Sequence, residues 1–153
     1  MIRAALLATA LVAVGCTTPD GELASLARQR LALAPDVAWT KFSRDIPVYD
    51  PARETTVLQS AMEQGRLHGV PEETTRRFFA AEMEASRRLQ WEWIHAWRKG
   101  YPQPVGAPRD LVGDLRPRFD DIQRHQITAL ARGAKPLTIS QLTEVSERFL
   151  PKN

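Results

Sequence analysis

Two cations interrupt the apolar face of the first predicted helix, at positions where core residues would be expected. Arg30 and Lys41 share a face with Leu26, Leu33 and Val37 and lie about three helical turns apart. Their Cα atoms would be about 16 Å apart along the helix axis. Long side chains that lean towards each other would leave a gap suited to one small anionic molecule.

Polar residues interrupt the other predicted helices in the same way. They are Asp50, Arg53 and Glu54 at the start of the second helix, Ser86 and Gln90 on the third, and Arg118 on the fourth. Buried cations without a partner cost several kcal/mol each, and the cations of the whole set outnumber its carboxylates. The excess positive charge predicts a pocket inside a helical bundle that binds a small molecule with more than one carboxylate.

Each of these residues also has a plainer explanation. An arginine on a helix usually keeps its charge in solvent while its stem covers apolar surface. A buried glutamine is usually a hydrogen-bonded core amide. The pocket is favoured because several helices carry polar residues about halfway along their inward faces. Polar residues that each faced solvent independently would not be expected to coincide in this way.

The elements that must position these residues are all helical. The sequence predicts an all-α bundle of about five helices with the active site inside it, since helical periodicity recurs and no useful stretch has the period of a β-strand. The predicted helices span residues 21–43, 51–68, 71–98, 109–132 and 138–150. Pro35 predicts a kink near residues 31–34 of the long first helix, and Pro117 predicts a strained or kinked fourth helix.

The predicted helix ends carry recognisable signals. Asp50 followed by Pro51 is typical of a helix start, with an N-cap and a proline in the first helical position. Thr138 and Gln141 form the pattern of a capping box. Gly100 after a run of cations indicates the end of the third helix.

The first sixteen residues have the pattern of an export signal, with Arg3 before the apolar run 4–14 and small residues after it. We therefore expect residues 1–16 to be a signal peptide and residues 17–153 to form one domain, in a periplasmic or secreted protein. Residues 13–16 also resemble a lipoprotein cleavage box, which would lipidate Cys16; ordinary signal-peptidase cleavage is the alternative. Cys16 is the only cysteine, so an intramolecular disulfide is excluded.

The remaining composition excludes several classes of protein. The net charge is only +3, and neither a basic block nor a nucleic-acid motif is present. His68, His95 and His125 do not have the spacing of a metal site. The sequence also lacks a glycine-rich phosphate loop and a GxSxG motif, so we expect neither a metal nor a cofactor.

The polar series as a whole resembles the active site of the all-helical chorismate mutase family, in its exported monofunctional subclass. The matching segments are Gln29 to Leu31, Asp36 to Lys41, Asp50 to Glu54, and Ser86 to Gln90. The resemblance is strongest from about Leu23 to Trp97. It implies an isomerase that rearranges chorismate to prephenate without a cofactor. It also implies a homodimer. Contact with a membrane is expected only in the alternative in which Cys16 carries a lipid.

The resemblance further implies a role for each matching residue. Arg30 and Arg118 would clamp the substrate carboxylates, with Ser86 assisting at one of them. Lys41 would bridge a carboxylate and the ether oxygen, and Gln90 would donate its amide hydrogen to the same oxygen. The remaining residues would bind the ring hydroxyl (Glu54, helped by backbone near Asp50) or line the pocket (Arg53). Lys41, Gln90 and Arg30 would be the catalytic residues.

Two other functions fit parts of the same pattern. Isochorismate pyruvate lyases share the helical scaffold and a similar cationic pocket. An exported helical lipoprotein that binds a ligand without catalysis would use the same bundle. Assays with chorismate and isochorismate distinguish these alternatives from a mutase.

Overall fold

The computed structural model describes residues 17–152, and every regular element within them is helical. The elements in chain order are α1 (Pro19–Ala32), α2 (Ala34–Ser43), α3 (Pro51–Leu67), α4 (Glu72–Arg98), a π-helical turn (Leu111–Leu115), α5 (Arg116–Ala131) and α6 (Ile139–Glu147). The all-α prediction is confirmed. The predicted signal peptide, with Cys16, lies outside the described residues.

The long first helix is broken rather than continuous. Leu33 forms a turn between α1 and α2, and its backbone N–H donates to the carbonyl of Arg30 at 3.2 Å. Pro35 lies in the first turn of α2, where a missing N–H costs little because no intrahelical partner exists there. The break therefore lies where the proline predicts it, and it turns the C-terminal part of the first helix into a separate element.

The ends of α3 and α6 follow the local sequence. The carboxylate of Asp50 accepts a hydrogen bond from the backbone N–H of Arg53 at 3.0 Å and caps α3. Thr138 and Gln141 form a reciprocal capping box at the start of α6. This last helix ends at Glu147, earlier than predicted, and Phe149 then accepts a 2.7 Å hydrogen bond from the indole of Trp93 through its carbonyl oxygen.

The fourth predicted helix begins with a π-helical turn. The side chain of Asp110 caps this turn by accepting from the backbone N–H groups of Val112 and Gly113 at 2.7 and 2.9 Å. Ordinary α-helix begins at Arg116, so Pro117 lies in the first turn of α5. The predicted kink is thus replaced by a change of helix type before the proline, which leaves Pro117 where it is tolerated.

Helix α4 is the central element of the bundle and contributes to three apolar clusters along its length. The clusters contain Phe78 and Phe79 near its start, Ala85 and Leu89 in its middle, and Ile94 and Trp97 near its end. Burial of one large apolar side chain contributes about 1.5–3 kcal/mol. Such packing holds α4 rigidly against its neighbours, and its polar residues 82–90 are fixed with it. Within residues 17–152, no helix is long and apolar enough to cross a membrane.

Candidate active site

A cavity of about 170 Å³ lies among α1–α5, and its lining contains the polar residues predicted from the sequence, apart from Arg118. The predicted residues that line it are Arg30, Lys41, Asp50, Arg53, Glu54, Ser86 and Gln90. Further polar residues of the lining are Arg87, Arg116, Asp120 and Gln123. The cations of this lining outnumber its carboxylates, so the cavity suits an anionic ligand.

Arg30 is almost fully buried, with 5% of its surface exposed. Its Nε lies 3.0 Å from a carboxylate oxygen of Glu82, and its Nη1 donates to the carbonyl oxygen of Phe119 at 3.3 Å. The guanidinium also lies 4.9 Å from the centre of the Phe119 ring, a cation–π distance. The protein therefore holds the cation from two sides and leaves the rest of it facing the cavity.

Glu82 is a buried acid that the sequence analysis did not single out. Its other carboxylate oxygen accepts a 2.6 Å hydrogen bond from the side-chain amide of Gln126. Burial raises the pKa of Glu82 to about 7, although the charge of Arg30 and the Gln126 hydrogen bond act in the opposite direction. A glutamate among the charged residues of a long helix is ordinarily solvated, so no sequence signal indicated this one.

Lys41 reaches the cavity from α2 and also holds a neighbouring loop. Its Nζ donates to the carbonyl oxygen of Val48 at 2.7 Å, which leaves donors free for a ligand. Burial lowers the pKa of Lys41, and the positive charge of Arg116 acts in the same direction. Asp50 and Glu54 raise it and so favour the charged form.

Gln90 and Ser86 lie one turn apart on α4 and share a hydrogen bond of 3.4 Å, donated by the glutamine amide. Gln90 is only 7% exposed, and its side-chain oxygen is buried without a hydrogen-bond partner among the described residues. An amide carries two N–H donors, so one remains available to a ligand. The side chain can therefore donate a hydrogen bond to an oxygen in the cavity at any ordinary pH.

Arg87 lines the cavity and was not identified from the sequence. Its Nη1 lies 2.9 and 2.8 Å from the two carboxylate oxygens of Glu54, and its guanidinium lies 5.0 Å from the centre of the Tyr49 ring. Arg87 follows Ser86 directly and lies four residues after Met83, a spacing that keeps it on the cavity side of the helix. This spacing is the feature of the sequence that could have identified Arg87 as a cavity residue.

Arg118 does not line the cavity, and this corrects its predicted position. Its side chain is 58% exposed and pairs with Asp114 at 2.7 Å. Asp114 also pairs with Arg109 at 2.6 Å, and both arginines hold the pKa of Asp114 well below its usual range. Arg116 lines the cavity instead. It lies two residues before Arg118, so the two side chains are more than half a helical turn apart.

The position of Arg116 depends on contacts that fix the start of α5. Arg109 reaches Asp36 of α2 at 2.8 Å, while the buried hydroxyl of Thr40 lies 2.9 Å from the carbonyl oxygen of Arg109. These contacts fasten the segment before α5 to α2. On α5, residues 116, 119, 120 and 123 then face the cavity in the spacing of one helix face.

The arrangement can bind carboxylates through arginines and donate hydrogen bonds from Lys41 and Gln90 to an oxygen that gains negative charge. Preorganised donors in a water-poor site stabilise such charge because they need not reorient during the reaction. The geometry thus favours a reaction controlled by orientation and electrostatics.

Comparison with known proteins identifies the family. The family model for chorismate mutase type II matches residues 17–91. The crystal structure of chorismate mutase from Burkholderia thailandensis has a TM-score of 0.70 and 37% identity, with coverage of 72% of this chain and 70% of that chain. The fold, the residues matched by the family model and this level of identity all indicate the same family.

Two curated relatives are more distant. The secreted chorismate mutase of Yersinia pestis is 27% identical over 115 residues, which are 75% of this chain and 61% of that protein. The monofunctional chorismate mutase of Enterobacter agglomerans is 25% identical over 112 residues, 73% of this chain and 61% of that protein. The chain thus spans about three fifths of the length of these relatives. Together with the Burkholderia structure and the family model, they show that the chain belongs to the all-helical chorismate mutase family.

Proposed function

We propose that this protein catalyses the rearrangement of chorismate to prephenate. Chorismate carries two carboxylates, and its rearrangement is a single pericyclic step without proton transfer, covalent intermediate or cofactor. The observation that carries the proposal is the meeting of Arg30, Lys41 and Gln90 at one electropositive cavity. Such a cavity can hold a compact dicarboxylate in its reactive conformation, which removes much of the entropic part of the barrier.

The substrate carboxylates bind to Arg30 and Arg116, with the Ser86 hydroxyl assisting at one of them. We assign the second carboxylate to Arg116 rather than to Arg118 because Arg116 lines the cavity, whereas Arg118 pairs with Asp114 on the surface. A guanidinium binds a carboxylate through parallel N–H donors, so each contact orients the substrate as well as attracting it.

The ether oxygen gains negative charge as its bond to the ring breaks. Lys41 and Gln90 donate hydrogen bonds to this oxygen, and they stabilise the transition state more than the ground state. Glu54 accepts a hydrogen bond from the ring hydroxyl, helped by backbone near Asp50. Its carboxylate retains acceptor sites for this although Arg87 already contacts it. Arg53 lines the pocket and orders its neighbours.

We also propose that the protein is exported. The support is the signal-like pattern of residues 1–16 and the similarity to a protein described as a secreted chorismate mutase. Cleavage by an ordinary signal peptidase gives a free periplasmic or secreted protein, whereas cleavage before Cys16 gives a lipid-anchored one. Mass spectrometry of the mature N-terminus distinguishes the two forms. A mature chain that still begins at Met1 would contradict export.

The activity is tested by adding purified protein to chorismate and following the loss of its ultraviolet absorbance, with prephenate identified by mass spectrometry. We expect Lys41→Ala and Gln90→Ala each to raise the barrier by about 3 kcal/mol, the effect of one preorganised donor. Exposed Lys99 and Gln59 offer matched controls, since the same substitutions there leave the cavity intact.

Three results would count against this assignment. Unchanged chorismate would exclude the mutase activity itself. Release of pyruvate from isochorismate, with chorismate untouched, would indicate a lyase. Near-normal turnover in Lys41→Ala or Gln90→Ala would show that these side chains do not act on the ether oxygen.

A further inference from the structure

Glu82 is a fully buried acid of α4 that lies beside the cavity but does not line it. One oxygen lies 3.0 Å from Nε of Arg30 in α1, and the other accepts a 2.6 Å hydrogen bond from Gln126 in α5. A single carboxylate thus joins three helices behind the cavity. No part of the proposed reaction uses it directly, since it is separated from the ligand space by Arg30.

The contacts of Arg30 explain what this carboxylate does. The guanidinium is a rigid planar fork, so fixing two of its nitrogens fixes the third. Nε is turned towards Glu82 and Nη1 towards the Phe119 carbonyl, so Nη2 remains for a ligand in the cavity. The Glu82 contact is an ion pair rather than a well-directed hydrogen bond, because its Oε2 has no hydrogen-bond partner among the described residues. The carboxylate holds the Nε side of the guanidinium and the Phe119 carbonyl holds Nη1, so both contacts are needed to fix its plane.

We propose that Glu82 is the positioning residue for Arg30, and that it competes with the substrate carboxylate for the same guanidinium. The proposal rests on the proposed function, because it assumes that Arg30 binds a substrate carboxylate. Without Glu82, a long flexible cation would have to be ordered by the substrate itself, which costs side-chain entropy at each binding event.

The competition makes substrate binding depend on pH. The groups that face Glu82 are the cation of Arg30 from α1 and the neutral amide of Gln126 from α5. Burial raises the pKa of Glu82 to about 7, so this acid changes charge near neutrality. As the pH rises through that value, Glu82 becomes negative and opposes a second anion at Arg30. We therefore expect KM for chorismate to rise from about pH 6 to about pH 8 while kcat changes little.

Glu82→Gln and Glu82→Ala separate position from charge. A glutamine at position 82 keeps the shape of the side chain, and its oxygen can accept a hydrogen bond from Arg30. Its NH₂ group can donate to the side-chain oxygen of Gln126, which in the wild type is buried without a partner among the described residues. We expect Glu82→Gln to keep kcat/KM within about threefold of the wild type near pH 6 and to abolish the rise of KM with pH. Glu82→Ala should lower kcat/KM by about tenfold or more at every pH, because Arg30 loses its orientation. Glu84→Ala, on an exposed residue of the same helix, is the matched control and should match the wild type.

A second measurement does not depend on catalysis. The Nε–H signal of Arg30 in a ¹⁵N NMR spectrum reports the mobility of the guanidinium, and Arg30→Lys assigns it by removing it. We expect an ordered signal in the wild type and in Glu82→Gln, and a mobile one in Glu82→Ala.

The two measurements distinguish the proposals. If the wild type does not convert chorismate, the proposed function is wrong, and an ordered Arg30 signal that is lost in Glu82→Ala would still support the positioning role. If the wild type is active but its KM is constant across this pH range, competition at Arg30 is refuted. Equal kinetics and equal Arg30 order in Glu82→Ala and the wild type would overturn the positioning role.

Discussion

Replacing Arg116 by alanine should lower kcat/KM for chorismate by about 10- to 100-fold, whereas replacing Arg118 should change it by less than about twofold. Arg116 lines the cavity, and it is close enough to Lys41 for its charge to lower the pKa of that lysine. A hydrogen bond between charged groups contributes about 1.5–3 kcal/mol, and about 1.4 kcal/mol corresponds to a factor of ten. Arg118 is 58% exposed and makes a surface ion pair, which contributes at most about 1 kcal/mol to stability.

The assay measures initial rates of chorismate consumption for the wild type, Arg116→Ala and Arg118→Ala over a range of substrate concentrations. The two arginines flank Pro117 at the start of one helix, so each variant serves as the control for the other. Thermal unfolding of both variants establishes that any loss of rate occurs in folded protein. A larger loss in Arg118→Ala, or equal losses in both, would refute the assignment of the substrate carboxylate to Arg116.

Two other substitutions test the site and the fold. Gln90→Glu should confine activity to low pH, because only a protonated carboxyl can donate to the ether oxygen. Above the pKa of that acid, kcat of the variant should fall about tenfold per pH unit, whereas kcat of the wild type stays nearly constant. A flat pH profile in the variant would contradict the donor role. Gly65→Ala should destabilise the fold by about 1–3 kcal/mol, because a Cβ there would lie 2.5 Å from Oγ1 of buried Thr75. Gly113→Ala is the control, because its Cβ would meet no atom closer than 3.8 Å. Equal unfolding temperatures of Gly65→Ala and Gly113→Ala would show that α3 can move away from α4.

The helices are predictable from the sequence because their ends depend on neighbouring residues. Asp50 caps α3 through the N–H group three residues later, and Thr138 with Gln141 closes a capping box within a single turn. Pro35 likewise breaks the first helix within two residues of itself. Each of these effects acts over one turn, which is the range that a local pattern describes.

The choice between Arg116 and Arg118 is not predictable in this way. An uninterrupted α-helix from Arg109 would place Leu111, Leu115 and Arg118 on one face. The π-helical turn at Leu111–Leu115 widens the repeat before α5 begins, so the residues that follow are rotated relative to that pattern. Capping by Asp110 and the contacts of Arg109 stabilise this turn, and neither is visible in hydrophobic periodicity.

Buried and half-buried charge pairs are also not predictable from the sequence when their partners lie far apart along the chain. Glu82 meets Arg30 and Gln126 only because three helices pack together, and Arg87 meets Glu54 across the gap between α3 and α4. Periodicity assigns such residues to a face of a helix. It does not indicate which distant side chain will neutralise them.

The arginine from α5 has one more consequence. The lining of the cavity runs from Arg30 in α1 to Gln123 in α5, so α5 must pack against the N-terminal helices before all of the lining cations come together. Any change that loosens α5 should therefore weaken substrate binding even while the first four helices remain folded.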